Sequence, residues 1–574
     1  MSTLPSIDSR VKRSKSRQAG CSQAERVDHA QTDLWVFRDG RKLVPGAELH
    51  AALVQNLCGL SSRNQGDALI QAGELECGLA DLGHPDSALA GEVTDILAEN
   101  ICRGVRSGDA LRVARAITPP SSIEVAPPEG FTYYGLHPLD FARLVKQLPA
   151  DSATWAIIGI RSIGTTLSAV ATAALRISGF RGQRITVRSN GHPYDRSLSF
   201  SPKELQWVRQ RLSAAAQFLV VDEGPGRSGS TFLSVAEELV RAGVPTDAIT
   251  IAGSRLFDPA SLCAHDARAR WRKFRFLATT PSANSRFQDC MYLGGGNWRS
   301  WLYEKDASWP ASWIQMERLK FLSPDKKILF KFEGMGRIGS EARDRALSLS
   351  RAGFGPHAED AGDGFVAYAF YPGVPLTMLN VDSALLEHVA KYCAFRAANF
   401  SSPVTGHTEI AKMLNYNLEQ EFGWTSPLDL DRLATTGSVL VDGAMRPHEW
   451  IVTPQGRVLK TDGVSHGDDH FFPGPCDITW DIAGMAIEWQ LKNDATDYLL
   501  QQFWRHSGQD VSERLLIYKL AYSVFRIGFC KMAVSANREA IEEARLRCAY
   551  QRYRNQGAET LQAILTSGLQ HFLD

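Results

Sequence analysis

The chain has 574 residues, 44% hydrophobic and 22% charged, with 63 Lys+Arg balancing 63 Asp+Glu. That length allows three or four domains with ample cores. The zero formal charge removes any global attraction to nucleic acid or anionic lipid, so no specific nucleic-acid partner is expected. No apolar run approaches the roughly 18 residues of a membrane span, so no membrane partner is expected.

Residues 1–30 are polar, with Arg10, Lys12, Arg13, Lys15 and Arg17, and read as a disordered tail. Leu34-Trp-Val-Phe starts a short strand. Residues 31–124 are mainly helical in pattern, as in Leu49, Ala52, Leu53 and Leu57, and read as an accessory segment without chemistry of its own. Pro119-Pro120 and Pro127-Pro128 mark a boundary. From 125 to 285 strand and helix alternate, with strands at 155–160, 184–188, 216–221 and 248–252, which predicts an α/β domain with a parallel sheet. Ten scattered cysteines without a C-x-x-C pair argue against a zinc module or a disulfide framework, and for a cytoplasmic setting.

The strand at 216–221 runs into Asp222 and Glu223, then Gly224-Pro-Gly226-Arg227-Ser228-Gly229-Ser230-Thr231, then an amphipathic helix. Backbone N–H groups at a helix start suit a phosphate, and two carboxylates suit sugar hydroxyls or a divalent metal. Gly224, Gly226 and Gly229 also spell a dinucleotide fingerprint. That motif requires an acid after the next strand, where Gly-Ser-Arg stands instead. A second anion-type turn, Arg161-Ser162-Ile-Gly164-Thr165, follows the strand at 155–160, and Arg188, His192 and Arg196 lie in a loop between the two turns.

The acid pair with its Gly/Ser/Thr loop resembles the ribose-5-phosphate site of type I phosphoribosyltransferases, although this loop is one residue longer than the family pattern. The resemblance implies a 5-phosphate on Gly226–Thr231 and a pyrophosphate on Arg161, Ser162, Gly164 and Thr165. It implies a closing hood bearing Arg188, His192 or Arg196, with Tyr133, Tyr134 and His137 near the base.

Residues 286–312, with Gly294-Gly-Gly and several tryptophans, read as a linker, and 313–574 as a separate α+β domain. Lys331 stands on an alternating strand and Glu341 on the helix after it; Gly364–Tyr371 is another strand. Then come Asp442-Gly443-Ala444-Met-Arg446-Pro447-His448-Glu449, a hairpin, and Asp462-Gly463. This order resembles aminoglycoside-phosphotransferase-like and choline-kinase-like proteins. The resemblance implies Lys331 paired with Glu341 at the ATP phosphates, and Asp462 and Glu449 as metal ligands. Asp442 would substitute for the catalytic Asp, whose family position holds Ala444. His466 and His470, four apart with acids between, form a further candidate metal pair.

Together the resemblances imply Mg²⁺-dependent transfer of a phosphoribosyl group from phosphoribosyl pyrophosphate (PRPP) to a small acceptor. Asp222, Glu223 and Arg161 would do the chemistry beside a kinase-like domain that binds ATP or another nucleotide. Two alternatives stay open: a PRPP- or nucleotide-sensing regulatory protein without turnover, and a small-molecule kinase with a non-catalytic PRPP-binding domain. The oligomeric state is open, a homo-oligomer included.

Overall fold

A computed structural model describes residues 42–566, apart from 62, 150–152, 193, 404–405, 426–436 and 538. The basic tail and the strand expected at Leu34 lie outside the described residues. Strand β1 (Lys42–Pro45) leads into helices α1 (Gly46–Cys58), α2 (Gln65–Asp81), α3 (Ser87–Arg103) and α4 (Asp109–Ala114), and β2 (Ser122–Val125) pairs back with β1.

The α/β part follows as β3 (Thr154–Ile160), α5 (Ile163–Ile177), β4 (Arg181–Val187), α6 (Pro202–Ser213), β5 (Gln217–Val221), α7 (Ser230–Arg241), β6 (Ile249–Gly253) and β7 (Arg275–Ala278). All pairings are parallel, in the order β4-β3-β5-β6-β7. A parallel sheet is covered on both faces, which is why these strands are nearly continuous apolar runs. The two-residue period sorts them: Ala156, Ile158, Phe218 and Val220 enter one core, while Trp155, Ile157, Leu219 and Val221 enter the other.

The second of those cores does not stop at the domain boundary. It continues through Phe287 into Phe321, Phe332 and Phe365, strand residues of the second half, with the Phe287 and Phe321 rings stacked at 4.7 Å. Those strands form an antiparallel sheet, β8 (Met291–Tyr292), β9 (Lys320–Leu322), β10 (Ile328–Phe332), β11 (Ala358–Gly362) and β12 (Phe365–Ala369), in the order β8-β9-β10-β12-β11. The stretch 286–312 is therefore not a free linker: it supplies β8. Its Gly296 N–H and Trp298 indole donate to Glu317 at 2.8 and 3.0 Å, and Arg299 makes a buried ion pair with Glu542 at 2.7 Å.

Helix α8 (Gly336–Arg351) follows β10 through a turn so tight that a Cβ on Gly339 would lie 2.1 Å from the Gly334 carbonyl carbon. The remainder includes a small sheet of β13 (Val374–Pro375), β14 (Trp450–Val452) and β15 (Val458–Lys460), packed with six helices. These are α9 (Ser383–Asn399), α10 (His407–Phe422), α11 (Thr479–Glu488), α12 (Asn493–Ser507), α13 (Ser512–Ala536) and α14 (Ala540–Thr566). No helix among the described residues is long and apolar enough to cross a membrane.

Helix α2 holds the halves together. Each of its acids finds an arginine from another element. Asp67 is bonded by Arg343 and, at 2.7 Å, by the Gly336 N–H; Glu74 lies 3.6 Å from Arg337, and Glu76 2.7 Å from Arg184. Asp81 takes both Arg161 and Arg188. The accessory segment is a structural clamp.

Candidate functional site

A cavity of about 720 Å³ lies between the antiparallel sheet and the helices that follow it. Lys331 reaches it from β10, where the register sets it opposite Lys320 on β9 and Val366 on β12. Its ammonium bonds Asp462 Oδ1 at 2.7 Å and lies 2.9 Å from Glu333, which also accepts the Tyr368 hydroxyl at 2.7 Å. Burial works against the Lys331 charge, but Asp462 and Glu333 outweigh it and raise its pKa. Burial likewise opposes the Asp462 charge, and Lys331, His466 and Lys320 hold that carboxyl well below the usual range.

Glu341 is not the partner of Lys331. It lies 3.6 Å from Arg337 on its own helix, because α8 is docked on α2 through Arg343 and Arg337. The partner missed in the sequence, Glu333, was open to a simple reading: two positions along a strand returns the side chain to the same face.

The turn after residue 441 is pinned from below. Asp481 at the start of α11 accepts the N–H groups of Asp442 and Gly443 at 2.8 and 3.0 Å. Asp442 is fully buried, accepts the Tyr392 hydroxyl at 2.5 Å, and does not line the cavity, whereas Gly443 and Ala444 do. Burial opposes its charge, but Lys460, His466 and Arg396 hold its carboxyl below the ordinary range. The Lys460 ammonium sits in the midst of the constellation, 2.8 Å from Glu449, 3.3 Å from Asp442 and 3.0 Å from the Ala444 carbonyl.

His466 joins these groups to the cavity. Its Nδ1 lies 3.7 Å from Asp442, and its Nε2 3.9 Å from both Glu449 and Asp462. Asp442, Glu449 and His466 form a donor cluster of the size a metal ion needs. His470 is not part of it. That ring turns the other way and pairs with Glu129 at 3.3 Å, so the two histidines do not share a metal.

In the parallel sheet, the strand order reverses between β3 and β5. Their carboxyl ends carry the Arg161 and Asp222–Glu223 turns, the place where open α/β sheets hold ligands. Asp222 accepts the N–H groups of Glu223 and Gly164, and Glu223 accepts that of Gly130. Burial pushes Asp222 up to about 7. Burial, with Glu129 and Asp222 nearby, pushes Glu223 up to about 8. Ser162 has φ +124°, a conformation that costs an L-residue energy, and a Cβ on Gly164 would lie 2.5 Å from the Val221 carbonyl.

The anion groups expected here are already engaged. Arg161 donates to Asp81 at 3.2 Å, and Arg188 donates to Asp81, to Cys77 Sγ at 3.0 Å and to the Arg161 carbonyl at 2.7 Å. Arg188 is therefore not in a hood. His192 and Arg196 lie on the hairpin beyond it, where Arg196 bonds Gly191 O at 2.9 Å and His192 packs edge-on to Tyr194. In the second turn the Ser228 hydroxyl accepts the Ser230 N–H at 3.2 Å, Gly229 is packed on Trp271, and Gly226 and Arg227 are exposed. The Thr231 carbonyl accepts from Ser234, and Thr165 is buried. A pocket of about 260 Å³ touches Ser162, Thr166 and Arg188, but neither cavity is lined by Asp222, Glu223 or residues 226–231. Tyr133 and Tyr134 pack against His470, and His137 lies 3.4 Å from Asp363, so these rings contact the second half.

Comparison with known proteins finds partial likeness to solved structures. No family model and no curated protein matches the chain. Among solved structures, choline kinase LicA from Streptococcus pneumoniae is 15% identical, with a TM-score of 0.29, over 42% of this chain and 89% of that one. Choline kinase from Cryptosporidium parvum Iowa II is 13% identical, with a TM-score of 0.30, over 43% and 87%. Ethanolamine kinase from Plasmodium vivax is 10% identical, with a TM-score of 0.29, over 44% and 80%.

Proposed function

We propose that residues 313–574 form a nucleotide-dependent phosphotransferase for a small hydroxylated acceptor, with His466 as general base. The observation that carries this reading is that Lys331, Asp462, Glu449 and His466 line one wall of one cavity. Asp442 is withdrawn behind that wall, so it serves as a positioning residue: with Nδ1 of His466 facing its carboxylate, Nε2 is left to take a proton. In the transfer, the acceptor hydroxyl oxygen forms a bond to the γ-phosphorus. The bond from phosphorus to the bridging oxygen breaks, its electron pair leaves with the nucleoside diphosphate, and the hydroxyl proton passes to Nε2.

Lys331 would meet the nucleotide phosphates. The carboxylates of Glu449 and Asp462, on either side of Nε2, fit a hard divalent cation such as Mg²⁺, which would neutralise phosphate charge when bound. Lys460 holds Glu449 and Asp442 in place as a fixed cation.

Calorimetric titration with ATP tests the nucleotide part: Lys331→Ala is expected to weaken affinity at least about tenfold, and unchanged affinity removes the assignment. For the base, His466→Ala should keep ATP affinity and lower acceptor-dependent ADP formation about 10²-fold. Equal rates in the two proteins reject His466.

A second reading, phosphoribosyl transfer at the parallel sheet, is favoured by the acid pair at the strand-order reversal. It requires PRPP to displace Asp81 from Arg161 and Arg188. PRPP-dependent pyrophosphate release across a panel of bases tests it, and a rate unaltered in Asp222→Asn with Glu223→Gln rejects it. PRPP binding without release would instead favour the sensing role.

A further inference from the structure

The cavity wall formed by α13 and α14 carries one arginine, Arg526, whose side chain no described residue hydrogen-bonds. Glu488 is the carboxylate on which Arg446, Arg526 and Arg552 converge, and together they hold its pKa down against burial. Its oxygens are already used by the Tyr522 hydroxyl at 2.8 Å, the Tyr553 hydroxyl at 2.8 and 3.0 Å, and Arg552 at 3.1 Å. Arg526 is left over. It is 7% exposed and lines the cavity, and its Nε is buried 3.8 Å from Glu488 with no hydrogen-bond acceptor among the described residues. The rings of Phe529 and Tyr553, 4.6 and 5.2 Å from its guanidinium carbon, hold it in place. Arg446 links this wall to the reaction centre through Glu449 at 3.1 Å. In the same cavity the indole N–H groups of Trp309 and Trp313 are buried without partners.

A buried guanidinium N–H without a hydrogen-bond acceptor is costly to desolvate unless a ligand supplies one. The fork geometry of arginine matches a carboxylate or a phosphate, and the same wall repels an ammonium group. We infer that this wall binds the anionic group of the acceptor, which is a small alcohol bearing a carboxylate or a phosphate. The inference rests on the phosphotransferase reading for the hydroxyl, and on Arg526 alone for the anion.

The test uses the full chain. D-glycerate supplies the carboxylate arm, glycerol 3-phosphate the phosphate arm, and choline and ethanolamine the cationic arm. Each is titrated calorimetrically without nucleotide and then assayed for ATP-dependent turnover. At least one anionic compound is expected to bind, with Arg526→Gln weakening it about tenfold or more while ATP affinity is unchanged. Arg526→Lys should recover part of the loss. If Arg526→Gln does not fold, Arg526→Met, which keeps an apolar stem against Phe529 and Tyr553, is read in the same way. Binding or turnover of the cationic pair in preference to both anions overturns the inference and leaves the phosphotransferase standing, as does anion affinity that ignores Arg526. Anion binding that depends on Arg526 in a chain that binds no ATP supports the wall and removes the phosphotransferase.

Discussion

Replacing Asp67 with alanine will destabilise the contact between α2 and α8 by about 3–5 kcal/mol, the usual cost of leaving one member of a buried ion pair alone. Asp67 is 4% exposed and Arg343 7%, so neither charge is screened by water. The substitution also orphans the Gly336 N–H at the first turn of α8, a donor that the helix has no means of satisfying itself. Hydrogen exchange at residues 65–81 and 336–351 should show the loss as faster opening of both helices together. Burial pushes the Asp67 carboxyl up against the pull of Arg343, so the isosteric Asp67→Asn should lose less than alanine. Changing both residues, Asp67→Leu with Arg343→Leu, should recover most of the stability, since no charge is then stranded. If the single and double variants open equally fast, the pair does not clamp the halves. Because α8 begins four residues after Phe332 closes β10, Asp67→Ala should also weaken ATP binding at Lys331 without touching the cavity.

The same contacts explain which parts of the fold were legible in the sequence. The parallel sheet was: strands expected at 155–160, 216–221 and 248–252 lie at Thr154–Ile160, Gln217–Val221 and Ile249–Gly253. Unbroken apolar runs and Gly/Ser turns are local signals, and the burial that makes them so is local to each strand. The pairings of charges were not legible. Nothing local marks partners for Asp67, Glu74, Glu76 and Asp81, and only three-dimensional packing brings arginines from both halves to them. That same packing placed Glu341 away from Lys331 and paired Asp81 with the arginine of the expected pyrophosphate turn. Residues 286–312 misled for the opposite reason. Glycines and tryptophans suggest a loose connection, but Glu317 and Glu542 bind their donors and make the segment a wall of the cavity. His466 was noticed for its spacing to His470, whereas the base role proposed for it rests on Asp442, a residue distant in sequence and adjacent in space.

The acid pair gives the chain a pH-dependence of unusual sign. Free Asp and Glu ionise near pH 4. In the folded chain burial pushes Asp222 to about 7, with Glu129 adding to the rise and the Glu223 N–H, Arg188 and the Gly164 N–H opposing it. Glu223 is pushed to about 8 by burial, Glu129 and Asp222, against Arg255 and the Gly130 N–H. Each folded-state pKa is raised, so between pH 4 and 8 the folded chain holds protons that the unfolded chain has released. Stability contributed by these groups is therefore present in acid and lost as pH rises through 7 and then 8. A tenfold change in proton affinity is worth about 1.4 kcal/mol, and partial exposure trims the total, so ionising Asp222 should cost about 2–4 kcal/mol. Asp222→Asn removes that cost. The variant should match the wild type at pH 4 and be more stable by about 2–4 kcal/mol at pH 9. The amides of 217–221, followed by hydrogen exchange corrected for its intrinsic pH dependence, report the difference. A pH-independent gap between the two proteins would mean that Asp222 is ionised throughout the range. Residue 222 would then act as a carboxylate accepting the N–H groups of Glu223 and Gly164.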